Sequence, residues 1–331
     1  FNGKKLFGYE GDTIASALIA NGIHLVGRSF KYHRPRGFFG AGVEEPNAKL
    51  QVEFNGHSEP NVNATEMELV EGLSATSQNC WPSVNFDIGA INNFLKMFFP
   101  AGFYYKTFMW PKSFWYKIYE PFIRKAAGLG VASIEKDKER YEHKFEYCDL
   151  LVTGSGPSGL ASAYAAAKNG AKVILAEDKP RFGGTLLTDD VSIDNLSGKD
   201  WAEKIITELK SMPNVTVKNR SQVFGYYDHN MLVMFERVSD HLEKKSKFTP
   251  RQRLWYIRAK ETILSTGSIE RPIVFGNNDT PGIFLSAAAK EYMKVYGVLV
   301  GKKPLIFTNN DSAYETALEF KKNNVEPIIL D

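Results

Sequence analysis

The stretch Tyr147-Cys-Asp-Leu-Leu-Val-Thr-Gly154-Ser155-Gly156-Pro157-Ser158-Gly159 decides the fold. Its first half is a short apolar run that reads as a strand, and its second half is a glycine-rich turn. An alanine-rich helix follows over Leu160–Asn169, and Gly170 closes it. A second apolar strand, Lys172–Ala176, ends in Glu177, which lies 18 residues past Gly159. Strand, turn, helix, strand and acid stand in the order of a dinucleotide-binding βαβ unit. Gly154 permits the tight turn, Gly156 lets backbone approach a pyrophosphate, and Gly159 lets helix and strand pack closely. With Ser155, Pro157 and Ser158 these form the candidate phosphate loop, facing the anion with free N–H groups and a positive helix end. Glu177 is placed to accept from an adenosine ribose diol. A Glu rather than an Arg there argues for an unphosphorylated ribose, hence NAD or FAD over NADP. The motif does not separate NAD from FAD, because both present adenosine and pyrophosphate to the same elements.

Downstream, Glu177-Asp178-Lys179-Pro-Arg181-Phe-Gly183-Gly184-Thr185 supplies a second glycine pair for a close backbone approach and an arginine for phosphate. Glu261–Gly267 reads as a strand ending in Thr266-Gly267, which would return beside the first strand. Asp178, Lys179, Thr185, Val223, Thr266 and Gly267 complete the candidate cofactor residues. Between these pieces the pattern predicts a helix over Lys199–Lys210 and a meander of Val215–Val217, Gln222–Tyr227 and Met231–Arg237. The polar stretch Ser239–Arg253 reads as a loop. The dinucleotide-binding domain is therefore expected over 147–300. Residues 301–331 start a second unit, with strand Lys303–Thr308, helix Ala313–Lys322 and strand Glu326–Leu330. Its turn, Thr308-Asn-Asn-Asp-Ser312, has no glycine, so no pyrophosphate approaches it closely.

Upstream, residues 1–80 read as a small α+β unit. Strands are expected at Lys4–Phe7, at Leu50–Phe54 before an Asn55-Gly56 hairpin turn, and at Glu66–Val70; Asp12 or Thr13 caps a helix over Ile14–Asn21. That outline is ferredoxin-like. A [2Fe–2S] cluster needs four thiolates, and the loop Gly27-Arg-Ser-Phe-Lys-Tyr-His-Arg-Pro-Arg-Gly37 has none. The loop's Arg28, Lys31, Arg34 and Arg36 admit two readings: a surface for phosphates or an acidic partner, or an ordinary solvated loop. Residues 81–146 form an aromatic arm and linker. Phe86–Phe122 includes Phe94, Phe98, Phe103, Tyr104, Tyr105, Trp110, Trp115 and Tyr116, broken by Pro100, Pro111 and Pro121 and by four lysines, Lys106 among them. Such a segment must be buried against something, and a protein–protein interface explains it better than a membrane. The charged run 131–146 reads as a linker or exposed helix.

Composition narrows the function classes. The 331 residues carry a net charge of only +3, which is low for a nucleic-acid binder. Cys80 and Cys148 are the only cysteines, so a disulfide framework, a structural zinc site and a four-thiolate cluster are all disfavoured. Neither a signal peptide nor a membrane span is read in the sequence, and a cytoplasmic location is the expectation. The six histidines are scattered without a catalytic or metal-binding spacing. No catalytic residue and no metal ligand is singled out. The start at Phe1 and the stop at Asp331, within a strand-like run, suggest a piece of a longer polypeptide.

Several further stretches carry a resemblance: Gly27–Gly37, Gly42-Val-Glu-Glu-Pro-Asn-Ala48, Ala75–Ser83, Pro100–Trp110, Tyr119–Gly128, Asp279-Thr-Pro-Gly-Ile-Phe284 and Thr308–Tyr314. With the glycine-rich unit, they make the chain resemble the N-terminal part of the alpha subunits of heterotetrameric sarcosine oxidases. The resemblance implies an enzyme of alpha, beta, gamma and delta subunits. It oxidatively demethylates sarcosine with O2, giving glycine, peroxide and formaldehyde or, with tetrahydrofolate, methylenetetrahydrofolate. It also implies NAD on this chain, lined by Gly154, Gly156, Gly159, Glu177, Gly183, Gly184 and Gly267, and FAD and FMN mainly on the beta subunit, where the catalytic centre would lie. Related alternatives are alpha subunits of opine or amino-acid dehydrogenases and hydrogen cyanide synthase, which usually keep cluster cysteines, and an FAD-binding pyridine nucleotide oxidoreductase.

Overall fold

The computed structural model describes residues 1–100, 102, 107–126, 128 and 130–331, with backbone only at 126. Phe103, Tyr104, Tyr105 and Lys106 of the aromatic segment lie outside the described residues. The chain forms two compact units, Lys138–Glu270 and a discontinuous one of Phe1–Asp137 with Arg271–Asp331.

In the discontinuous unit, helix α1 spans Ile14–Ala20. Thr13 is its cap: its hydroxyl accepts from Ser16 N–H at 3.1 Å while Ser16 Oγ accepts from Thr13 N–H at 2.9 Å. Strands β1 (Lys49–Phe54), β2 (His57–Asn63) and β3 (Ser74–Ser77) form an antiparallel sheet in the order β2-β1-β3. The turn Asn55-Gly56 has φ of 51° and 80°, the left-handed pair that a primed hairpin requires. Two expected strands are not formed. Residues 63–69 serve α1 instead, since Ile14 and Ala15 N–H donate to Met67 and Ala64, and Asp12 accepts from Leu69 N–H. A single bridge, Thr13 to Glu68, remains of the Glu66–Val70 strand. Lys4–Phe7 joins no ladder, and the Phe7 carbonyl accepts the Asn21 amide.

The basic loop closes on itself through Gly27–Arg28 paired with Pro35–Arg36. Its cations turn inward. Arg28 donates to the Val84 carbonyl at 2.6 and 2.9 Å. Arg34 grips Asp279 through two bonds of 2.6 and 3.0 Å, and Arg36 reaches the same carboxylate at 2.5 Å. Three of the four cations thus hold the unit together, which favours a structural reading of this loop.

The other unit is built on β4 (Tyr141–Thr153), α2 (Pro157–Lys168), β5 (Val173–Ala176), α3 (Gly198–Ser211), β6 (Val215–Lys218), β7 (Ser221–Tyr227), β8 (Met231–Arg237) and β9 (Gln252–Leu264). One six-stranded sheet runs β6-β5-β4-β9-β8-β7. Its first four strands are mutually parallel, and the antiparallel β8 and β7 extend the edge. Strand β4 starts at Tyr141, within the run expected to be linker or helix, and Tyr141–Glu146 pairs in parallel register with Gln252–Ile257 of β9. Tyr141, His143 and Phe145 alternate there with charged residues, and the Tyr256 ring stacks on His143 and Phe145. Val215–Lys218 is the outer parallel strand beside β5 and no part of the meander, because α3 carries the chain across the sheet. One face of α3 (Trp201, Ala202, Ile205, Ile206, Leu209) is buried with Leu160 and Leu175.

The chain then returns to the discontinuous unit as α4 (Ser286–Tyr296), β10 (Leu305–Phe307), α5 (Ser312–Lys322) and β11 (Ile328–Leu330), with β10 and β11 parallel. This moves the expected boundary at 300 back to 270. Leu285, Ala288, Tyr292 and Val298 share one core with Ile14, Leu18, Phe38 and Leu50, which is where 271–300 packs. The Tyr292 hydroxyl donates to the Gly40 carbonyl at 3.0 Å. Tyr292→Ala is expected to destabilise the discontinuous unit by about 3 kcal/mol. Residues 1–137 without 271–331 are expected to give no cooperative unfolding transition, and urea titration followed by circular dichroism checks both.

Candidate functional site

The candidate phosphate loop joins the C-terminal end of β4 to α2. Each glycine in it has a different steric reason. A Cβ on Gly154 (φ +96°) would meet the Ser265 carbonyl oxygen at 2.2 Å, and one on Gly159 would meet the Gly154 carbonyl oxygen at 2.0 Å. Those two glycines are therefore needed for the loop to pack on β9 and on itself. A Cβ on Gly156 would meet nothing within 4 Å. The space left open there is what a pyrophosphate needs. Helix α2 begins with Gly156 as N-cap and Pro157 in its first turn, and no side chain caps it. Its first-turn N–H groups, Ser158 among them, therefore have no side-chain cap, an arrangement that suits an anion.

Glu177, at the end of β5, is buried, and so is Ser155. One carboxylate oxygen accepts Ser155 N–H at 2.9 Å and Ser155 O–H at 2.5 Å, and the other accepts Lys179 N–H at 3.0 Å. Ser155 also accepts Gly183 N–H, at 3.1 Å through Oγ and 3.2 Å through its carbonyl. Gly183 and Gly184 take φ of +122° and +53°, and a Cβ on Gly184 would lie 2.9 Å from Gly156 Cα. The structure thus brings Gly154–Gly159, Glu177, Gly183 and Gly184 into one cluster. Asp178 flanks the Glu177 carboxyl. Burial, with Asp178 bonded beside it, pushes that carboxyl up to about 7, against the Ser155 and Lys179 donors.

Arg181 is exposed on the approach to Gly183, and Thr185 lies in the turn Gly184–Leu187. Thr266 is exposed one residue after Ser265, and Gly267 has φ +70°. Val223 packs instead against the core of Leu151, Ile174 and Ala176. Sequence reasoning missed the roles of Ser265 and Ser221. The Ser265 carbonyl abuts Gly154, and Ser221 N–H donates to the Glu177 carbonyl at 2.7 Å. A serine after a strand carries no pattern that would have announced either. Among the described residues, no group of three His, Cys, Asp or Glu side chains could hold a metal ion. Among the same residues no helix is long and apolar enough to cross a membrane.

Two outcomes follow from this geometry. Gly156→Ala should leave the nucleotide-free midpoint of unfolding unchanged while weakening dinucleotide binding at least about tenfold, or 1.4 kcal/mol. Gly159→Ala should lose about 2 kcal/mol of stability through its backbone clash. Calorimetric titration and thermal unfolding separate the two. The second outcome concerns pH. Because the Glu177 carboxyl is raised from 4.5 to about 7 on folding, its stabilising contribution is complete below pH 4.5 and is lost as pH rises through 7. The nucleotide-free protein should lose up to about 3 kcal/mol across that window. Glu177→Gln should flatten this slope in chemical denaturation measured from pH 4.5 to 8.

Comparison with known proteins places this geometry in a lineage. Residues 1–80 match a family model described as a 2Fe-2S iron-sulfur cluster binding domain, and residues 149–233 one described as FAD dependent oxidoreductase. Sarcosine oxidase subunit alpha of Rhizobium meliloti (strain 1021) is 51% identical over 330 residues, covering 100% of this chain and 33% of that protein. Its counterpart from Corynebacterium sp. (strain U-96) is 33% identical over 335 residues, covering 100% of this chain and 30% of that protein. The chain thus spans about a third of the length of the curated relatives it matches. Among solved structures, L-proline dehydrogenase from P. horikoshii shares the fold. It aligns with a TM-score of 0.64 at 20% identity, over 99% of this chain and 52% of that one. With a Rossmann-type dinucleotide fold, a ferredoxin-type N-terminal domain and end-to-end homology, the chain belongs to the family of sarcosine oxidase alpha subunits, corresponding to their N-terminal third.

Proposed function

We propose that this chain is the nucleotide-holding part of the alpha subunit of a multi-subunit flavoenzyme that oxidises sarcosine with O2 to glycine, peroxide and formaldehyde or methylenetetrahydrofolate. The observation that carries the nucleotide reading is the open space at Gly156, framed by the Ser155–Glu177 lock and the uncapped end of α2. That cluster suits the adenosine diphosphate half of a dinucleotide. Gly156 N–H and the first turn of α2 would face the pyrophosphate, and Glu177 would accept from the ribose diol. A ribose 2′-phosphate would meet the Glu177 carboxyl rather than a cation, which disfavours NADP. The dinucleotide of this reading is NAD, held without turning over, while FAD and FMN act on the beta subunit. No side chain at the loop is placed as a proton donor or nucleophile in this reading. The role of the chain is to bind and to assemble. A second reading, FAD in the same cluster, is favoured by the family model over 149–233.

The proposed partners are the beta, gamma and delta subunits, in the cytoplasm. Support comes from the aromatic segment, which leaves Phe94, Trp110 and Tyr116 more than four-fifths exposed, with Met97, Phe98 and Phe122 also in solvent. An apolar surface of that size is stable in solution when another chain covers it.

Denaturing the purified complex and identifying the released nucleotide on each chain by mass spectrometry tests the cofactor reading. NAD at one per alpha subunit is expected. FAD in its place selects the second reading, and no nucleotide overturns both. The partner reading predicts that Trp110→Glu with Tyr116→Glu lowers co-purification of the other subunits at least about tenfold, with nucleotide content unchanged.

A further inference from the structure

The loop that enters β1 is organised around carboxylates. Glu45 is 2% exposed, yet no cation neutralises it among its hydrogen-bond partners, which are backbone. One of its oxygens accepts Phe39 and Gly40 N–H at 2.5 and 2.7 Å, and the other accepts Asn47 and Ala48 N–H at 2.6 and 3.1 Å. The adjacent Glu44 accepts Ala41 and Gly42 N–H at 2.7 and 3.0 Å. Amides of six residues between 39 and 48 therefore turn inward onto two side-chain anions. An isolated carboxylate buried this deeply is costly unless its lone pairs are filled, and here backbone fills them.

Inward-turned amides around a buried anion are also what a ferredoxin-type loop provides, where the acceptors are cluster and cysteine sulfurs. Plant-type loops space their first three thiolates as C-x4-C-x2-C. Taken with Glu45 as its middle position, that spacing spans Gly40 and Ala48. None is a thiol, and the fit to a cluster fails sterically as well. A Cβ at residue 40 would lie 2.6 Å from a Glu44 carboxylate oxygen, and Ala48 is sealed into the core with Ala41 and Leu50. The domain matches a cluster-binding family model over residues 1–80, but its residues do not accommodate the cluster.

We propose that Glu45, assisted by Glu44, stands in for the iron–sulfur cluster as the internal anion of this loop. The N-terminal domain keeps its cluster-domain shape through carboxylate–amide bonds and carries no electrons. The two carboxylates satisfy the same inward amides that sulfur would. They also hold the Gly40 carbonyl where the buried Tyr292 hydroxyl reaches it. Electron flow in the parent enzyme would then bypass this domain, whichever dinucleotide occupies the other unit.

Hydrogen–deuterium exchange on the full-length alpha subunit tests this. Glu45→Leu keeps the approximate side-chain size but removes both acceptor oxygens. It should speed exchange at Phe39, Gly40, Asn47 and Ala48 at least tenfold and leave Ile174 and Leu175 unchanged. Glu44→Leu should do so only at Ala41 and Gly42. Unchanged exchange at the four Glu45-bonded amides would overturn the proposal. A second measurement stands even if that variant does not fold. Wild-type alpha subunit, produced with ample iron and sulfur supply, should contain no stoichiometric iron or acid-labile sulfide. One two-iron cluster per chain would be fatal to the idea.

Discussion

The hydrogen bonds between Glu177 and Ser155 set the geometry on which the Rossmann-type unit depends. The carboxylate closes the end of β5 onto the phosphate loop, and Ser155 passes the restraint on to Gly183. Ser155 is thus internal, and the loop's outward face is left to Gly156 and the start of α2. Without this lock the loop would be a flexible glycine run that had to be ordered at each binding event, at the cost of its conformational entropy. The arrangement keeps a carboxyl buried at the edge of its comfort. A ribose diol arriving as donor would favour its charged form, so nucleotide binding and Glu177 ionisation are coupled in the proposed function.

The two ends of the chain's chemistry share a device. In one unit a buried Glu fastens the glycine-rich loop, and in the other a buried Glu fastens a ferredoxin-type loop. In both, neutral donors rather than cations satisfy the carboxylate: backbone N–H groups at Glu45, and backbone N–H groups with the Ser155 hydroxyl at Glu177. Charge neutralisation is used elsewhere, where a loop must be tied to distant sequence. Arg34 and Arg36 share Asp279, some 245 residues away for Arg34. On the proposed reading the chain binds a nucleotide, presents an aromatic face to partners and leaves oxidation to other subunits.

Much of the nucleotide-binding unit was legible because local period and turn chemistry agree there. The apolar run before Gly154, the alanine-rich helix and the strand ending in Glu177 all point one way. Failures came where a long-range partner decides the outcome. Tyr141–Glu146 reads as a charged linker until β9 pairs with it along its length. Val215–Lys218 alternates like a hairpin strand, but its parallel neighbour β5 lies far upstream. Residues 271–300 follow the Rossmann unit in sequence, yet Tyr292 completes the core of the other unit. The basic loop looked like a surface because Asp279 is invisible as its partner from local sequence. The sequence assigned Glu44 and Glu45 no role of their own, since nothing local reveals that the backbone wraps around them.

The central claim is that the cluster of Gly156, the α2 N-terminus and Glu177 holds the adenosine diphosphate half of a dinucleotide. An experimental structure of the full enzyme with its native nucleotide tests it most directly. The account predicts a pyrophosphate oxygen within hydrogen-bonding distance of Gly156 N–H and the adenosine ribose diol on the Glu177 carboxylate. A nucleotide bound elsewhere on this chain, or a side chain filling the space at Gly156, would contradict it.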